Sequence, residues 1–175
     1  MSTELLLASG SPRRRELLEQ IGVPTARLLC SVDEQVRPGE APVDYVERVT
    51  RDKIRAAIQA APGRVVLAAD TAVVLGDRIL GKPVDRADAL QMLSALSAAE
   101  HVVMTAVAVG CDQRIELVRV DTRVRFRALQ ADEIAANINS IVGSDVALAF
   151  HSKAFKTNDL NFFERFCFYA RYSWF

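Results

Sequence analysis

The sequence predicts an α/β fold, and three stretches carry that prediction. Leu5-Leu6-Leu7-Ala8 reads as a short apolar strand that turns through Ser9-Gly10-Ser11 into a helix. Tyr45, Val46, Val49, Ile54, Ala57 and Ile58 recur at helical spacing between about Val43 and Ala61. Val65-Val66-Leu67-Ala68-Ala69 is an unbroken apolar run of the kind found in strands covered on both faces.

Taken in order, the first strand covers about Glu4 to Ala8. The first helix covers about Pro12 to Gln20, with Ser11 placed to cap it, Pro12 at its first position and Gly22 placed to end it. Arg13, Arg14 and Arg15 fill its first turn, where the helix dipole is already positive. A solvated surface cluster is one reading of them; the other is that an anion completes the site, since free amides, hydroxyls and guanidinium groups make a phosphate pocket. A second strand is expected around Ala26 to Cys30, running into Ser31-Val32-Asp33-Glu34-Gln35. Adjacent carboxylates after a strand suit a metal or acid–base group, and equally two exposed loop acids. Pro38 to Pro42 is a loop. The next helix carries Lys53, and a lysine on a helix is ordinarily a surface residue.

The strand Val65 to Ala69 is expected to end at Asp70-Thr71, and an acid emerging from a strand's carboxyl end is a site candidate in open α/β sheets. Thr71 to Leu75, Gly76-Asp77 and Arg78 to Leu80 read as a hairpin, closed by Gly81-Lys82-Pro83. Asp85 caps a helix to about Leu96, with Asp88 in its first turn. Val102 to Val109 and Glu116 to Phe126 are strands, and Ala131 to Ile138 begins a last helix.

The totals restrict the function. A chain of 175 residues, half apolar and a quarter charged, suits one domain with a real core. Lys and Arg number 22, as do Asp and Glu, so the formal net charge is zero. A general nucleic-acid binder carries a basic excess, so the expected partner is a small, locally held anion and no nucleic acid. Cys30, Cys111 and Cys167 are odd in number, far apart and without a CxxC pair, which fits a reducing compartment. No signal-peptide pattern opens the chain and no apolar run is long enough to span a bilayer, so no membrane role and a cytoplasmic location are expected.

Near residue 136 the composition changes. No Asn precedes Asn137, four follow from there on, and seven of the eight Phe lie in this tail. Phe162, Phe166 and Tyr169 would share one face of a helix. Residues 1–136 therefore read as the body and 137–175 as a divergent aromatic-rich segment.

No GxxxxGK[ST] loop or GxSxG elbow is present, and the two histidines are isolated. Asp70-Thr71 lacks the second acid of an aspartate-nucleophile phosphatase, because Ala72 stands there. What remains is Ser9, Ser11, Arg13 and Arg14, two lysines (Lys53, Lys82) and two carboxylate points (Glu34, Asp70). Cations that neutralise polyphosphate, with acids that hold a metal and deprotonate water, are the parts of phosphate-ester hydrolysis.

LASGSPRRRELLEQIGV, the SVDE turn, the helix carrying Lys53, AADTAVVLGDRILGKP and the segment Leu96-Ser97…His101…Thr105 resemble the Maf family of nucleoside triphosphate pyrophosphatases, over about residues 4–136. The resemblance implies a mixed β-sheet with flanking helices, two lobes around a central cleft (Maf/ITPase-like), and often a homodimer. It implies hydrolysis of a nucleoside triphosphate to monophosphate and pyrophosphate with a divalent metal, Mg²⁺ or Mn²⁺. Asp70 would be the general base and, with Glu34, would hold the metal. Ser9, Ser11, Arg13, Arg14, Lys53 and Lys82 would grip phosphates and orient the base. The ADT motif resembles the subgroup acting on dTTP and UTP, with Arg13 and Thr71 at specificity positions. Two departures stand out. Ala98-Ala99 follow Ser97 where the family has Gly and a polar or basic residue, and Ile141-Val142-Gly143-Ser144-Asp145 stands where an E-P-x-D-K-A-G stretch is expected. The expectation drawn from the second is that a rearranged or interrupted gene has replaced the family's C-terminal part. A nucleotide-binding protein with little or no turnover is the alternative that follows.

Overall fold

Strand β1 (Leu5–Ala8) runs parallel to both of its partners, β2 (Thr25–Arg27) and β3 (Val66–Leu75). β4 (Arg78–Leu80) is antiparallel to β3, so the sheet is mixed. With β5 (Glu100–Cys111) and β6 (Arg114–Arg125) the strand order is β2-β1-β3-β5-β6, with β4 paired to β3. Helices α1 (Pro12–Gln20), α2 (Pro42–Ala60), α3 (Arg86–Leu96) and α4 (Ala131–Ile141) complete the expected α/β class. The structure is a computed structural model that describes residues 4–141. The aromatic tail, and all but the first residue of the stretch Ile141 to Asp145, lie outside the described residues. No described helix is long and apolar enough to cross a membrane.

The described chain forms two units, each with its own core. The first comprises residues up to Thr71 together with Met104–Val120. Its core joins Leu6 and Ala8 of β1, Val66 and Ala68 of β3, Ala108 of β5, and Ile54 and Ala57 of α2. The second comprises Ala72–Val103 and the chain from Asp121. There Leu93 and Leu96 of α3 pack with Val73, Leu80, Val103, Val124 and Phe126, and with Ile134 and Ile138 of α4.

Local chemistry sets most element ends. Gly22 adopts φ 75°, its N–H reaches Glu19 O at 2.9 Å, and Val23 N–H reaches Leu18 O at 2.9 Å. This paired closure needs a left-handed residue after the helix, which Gly supplies without strain. In the hairpin, Val73↔Leu80 and Leu75↔Arg78 flank the two-residue Gly76-Asp77 turn. Asp85 caps α3 by accepting from Asp88 N at 2.8 Å.

Three expectations are corrected. β3 does not end at Asp70; it continues to Leu75, so Asp70 and Thr71 lie inside a buried strand. β2 is shorter than Ala26 to Cys30, because β1 offers it partners only through Leu7↔Arg27. Ser11 occupies the N-cap position of α1, but its side chain does not cap the helix amides. At the end of α3, Ala98 stands at φ 57°. That left-handed position costs a residue with a Cβ about 1–2 kcal/mol.

His101 is buried, with its ring edge-on to Phe126 at a centroid distance of 4.9 Å. Burial lowers its pKa from 6.5 to about 4. The unfolded chain therefore takes up a proton near pH 6.5 that the folded chain takes up only near pH 4. Stability is expected to hold above that window and to fall by up to about 3 kcal/mol as pH drops through it. A pH series of urea unfolding checks this, and His101→Leu should remove that part of the slope.

Candidate active site

Three consecutive residues of β3 organise the site, and strand alternation turns their side chains to opposite faces. Asp70 faces α2. Its Oδ1 accepts from Lys53 Nζ at 2.8 Å, and the same ammonium lies 2.9 Å from Glu34 Oε1. Lys53 is a buried residue of α2, on the stripe that includes Val46, Val49, Thr50 and Ala57. A buried ammonium is tolerable because it is paired, here with two carboxylates. Glu34 arrives from the stretch after β2, and its side chain is 40% exposed, whereas that of Asp70 is 9% exposed. Asp70 Oδ2 is buried and has no hydrogen-bond partner among the described residues. Such an oxygen carries a desolvation cost unless water, an ion or a ligand group meets it.

Ala69 and Thr71 are held from α1. Arg14, only 3% exposed, donates through Nη1 to Ala69 O at 2.9 Å and Ser9 Oγ at 3.1 Å, and through Nη2 to Thr71 Oγ1 at 3.1 Å. β1 ends with Ala8 opposite Ala68, so Ala69 O lies one residue past the last paired position. Arg14 takes that carbonyl in place of a strand. Thr71 Oγ1 also shares a hydrogen bond with Thr105 Oγ1 at 2.9 Å.

The three adjacent arginines therefore have different environments. Arg13 pairs with Glu16 at 2.9 Å and Arg15 with Glu19 at 3.4 Å, while Arg14 turns inward. Ser9 Oγ also accepts the Ser11 amide at 3.2 Å. A pocket of about 180 Å³ opens beside this turn, lined by Ser9, Gly10, Ser11, Arg15, Thr25 and Arg27 among others. Neither Arg13, Lys53 nor Asp70 lines it; Ser9 is what links the pocket, through Arg14, to the residues flanking Asp70. Lys82 is an exposed residue of the second unit, following β4.

The structure places Lys53 between Glu34 and Asp70, not among the phosphate-gripping residues with which the sequence groups it, and joins Ser9 and Thr71 through Arg14. Sequence reasoning misses Arg27, Thr105 and the residues that hold the Glu34 stretch. Arg14's inward position was signalled, since Leu17 and Leu18, three and four residues on, are buried on the same face.

Among the described residues no three His, Cys, Asp or Glu side chains converge to hold a metal ion. Glu34 and Asp70 are nonetheless two hard carboxylates meeting at one point. A Mg²⁺-type cation is ordinarily held by one or two carboxylates, with phosphate oxygens and water completing its shell. The donor set, Glu34 with Asp70, fits that pattern.

Comparison with known proteins shows the family. The sequence model of the family described as Maf-like protein matches residues 4–163. The dTTP/UTP pyrophosphatase of Anaeromyxobacter dehalogenans (strain 2CP-1 / ATCC BAA-258) is 51% identical over 138 residues, covering 77% of this chain and 69% of the relative. The dTTP/UTP pyrophosphatase of Escherichia coli (strain K12) is 46% identical over 149 residues, covering 85% and 76%. Among solved structures, that of the Staphylococcus aureus Ham1 protein superposes with a TM-score of 0.51 at 13% identity, covering 70% of this chain and 71% of the other. That likeness concerns the fold alone. With a family match spanning most of the sequence and relatives near half identity, this chain belongs to the Maf-like protein family.

Proposed function

We propose that this chain hydrolyses dTTP or UTP to the nucleoside monophosphate and pyrophosphate. The observation that carries the reading is Asp70: one carboxylate oxygen is fixed by Lys53, and the other is buried with no partner among the described residues. Relatives named dTTP/UTP pyrophosphatases support the choice of substrate.

In this reading Asp70 Oδ2 accepts the proton of the attacking water, and Lys53 keeps the carboxylate oriented through Oδ1. Glu34 and Asp70 would hold a divalent cation, Mg²⁺ or Mn²⁺, which when bound neutralises charge on the phosphates and on the departing pyrophosphate. Ser9, Ser11 and Arg13 take phosphate oxygens. Arg14 acts by holding Ser9 and Thr71 in place, and Arg13 and Thr71 bear on base selection.

The test is a panel of canonical and modified nucleoside triphosphates, with pyrophosphate measured with and without divalent cation. dTTP and UTP should lead other canonical nucleotides by at least about 10-fold in kcat/KM, the scale a few well-placed contacts can supply. Release should cease on chelation. No pyrophosphate from any nucleotide overturns the reading, and saturable binding without product would establish a nucleotide-binding protein instead.

A further inference from the structure

Glu34 belongs to a stretch without regular secondary structure, yet the reading above needs its carboxylate held at Lys53. Three successive carbonyls around it are fastened by two side chains of α2. Arg48 Nη1 lies 3.5 Å from Asp33 O, Tyr45 OH donates to Glu34 O at 3.1 Å, and Arg48 Nη2 donates to Gln35 O at 2.9 Å. Arg48 also grips both oxygens of Glu40, at 2.5 and 2.9 Å, and Glu40 Oε2 accepts the Arg37 amide at 3.0 Å. The loop is thus closed onto the helix at both of its ends.

We propose that Arg48 is a positioning residue for the reaction: its guanidinium locks the backbone on either side of Glu34 so that the Glu34 carboxylate stays against Lys53. This rests on the reading of Glu34, Lys53 and Asp70 given above. The plainer role is an ion pair that stabilises the fold, since the Arg48 and Glu40 side chains are only 14% and 8% exposed. Glu40 alone would satisfy that role. It does not account for the same fork reaching the carbonyls of residues 33 and 35, which only the fixed, multi-donor geometry of arginine can do at once. Tyr45, Arg48 and Asp52 are three and four residues apart and so share a helix face, with Lys53 next to them. One helix therefore carries both the clamp and the ammonium that the clamped acid must meet. The hydrogen bond from Arg48 holds the Glu40 carboxyl at about 2, so the pair stays charged at any pH where the enzyme is assayed.

Arg48→Lys keeps the charge and a partner for Glu40 but loses the fork. Supporting groups of this kind are worth about 10- to 100-fold in activity when removed. The variant is expected to lose about 10-fold in kcat on dTTP with KM little changed, and to exchange the amides of residues 33–37 faster. In the Glu34→Gln background the same substitution should cost nothing further. A loss that simply multiplies with that of Glu34→Gln, an effect confined to KM, or an unchanged kcat overturns the inference and leaves the site reading standing. A wild-type chain without turnover, or Glu34→Gln with wild-type kcat, overturns the site reading itself and the inference with it.

Discussion

Asp70→Asn is expected to lower pyrophosphate release from dTTP by about 10³-fold, the range a positioned general base supplies. The amide oxygen of Asn can still accept from Lys53, so the strand and its neighbours keep their arrangement. The amide nitrogen that replaces Oδ2 cannot take a proton from water. Binding and chemistry should therefore separate: the affinity for dTTP stays within a few-fold while kcat collapses. Calorimetric titration of the variant with dTTP, beside its steady-state rate, reads both. A variant that retains kcat would remove Asp70 from the reaction.

The second large effect is expected from Arg14→Leu, and it falls on folding. This guanidinium is 3% exposed and supplies hydrogen bonds to Ser9, Ala69 O and Thr71. Leucine fills much of the space and leaves Ala69 O without the donor that stands in for a strand. Orphaning one buried acceptor and losing the other bonds amounts to about 3 kcal/mol. For a chain of this size that lowers Tm by about 10 °C. Arg14→Lys should recover little, because one ammonium cannot reach three separated acceptors. Thermal unfolding of the three proteins checks this; equal Tm values would contradict the described role of Arg14.

These two residues also show what the sequence made legible. The bounds of α1 and the β3–β4 hairpin were readable because proline, glycine and turn chemistry act within a few residues. Asp70 looked like the end of a strand because aspartate is rare inside one. What keeps it there is Lys53, a partner brought in by another element. Lys53 itself sits on the apolar period of α2, but its residue type points to solvent, and only the fold shows the two acids that compensate it. Arg14 differs from Arg13 and Arg15 by helical phase alone, and only its apolar neighbours three and four residues on, Leu17 and Leu18, carry that phase in the sequence. Arg48 and Glu40 left no local signal, since the loop they fasten is defined only by where α2 lies.

In the proposed reaction this site breaks the bond between the α- and β-phosphates. That cleavage is tested most directly by ³¹P NMR of dTTP incubated with the wild-type chain and Mg²⁺. One dTMP and one pyrophosphate for each dTTP consumed is the predicted outcome. Orthophosphate appearing together with dTDP would contradict it.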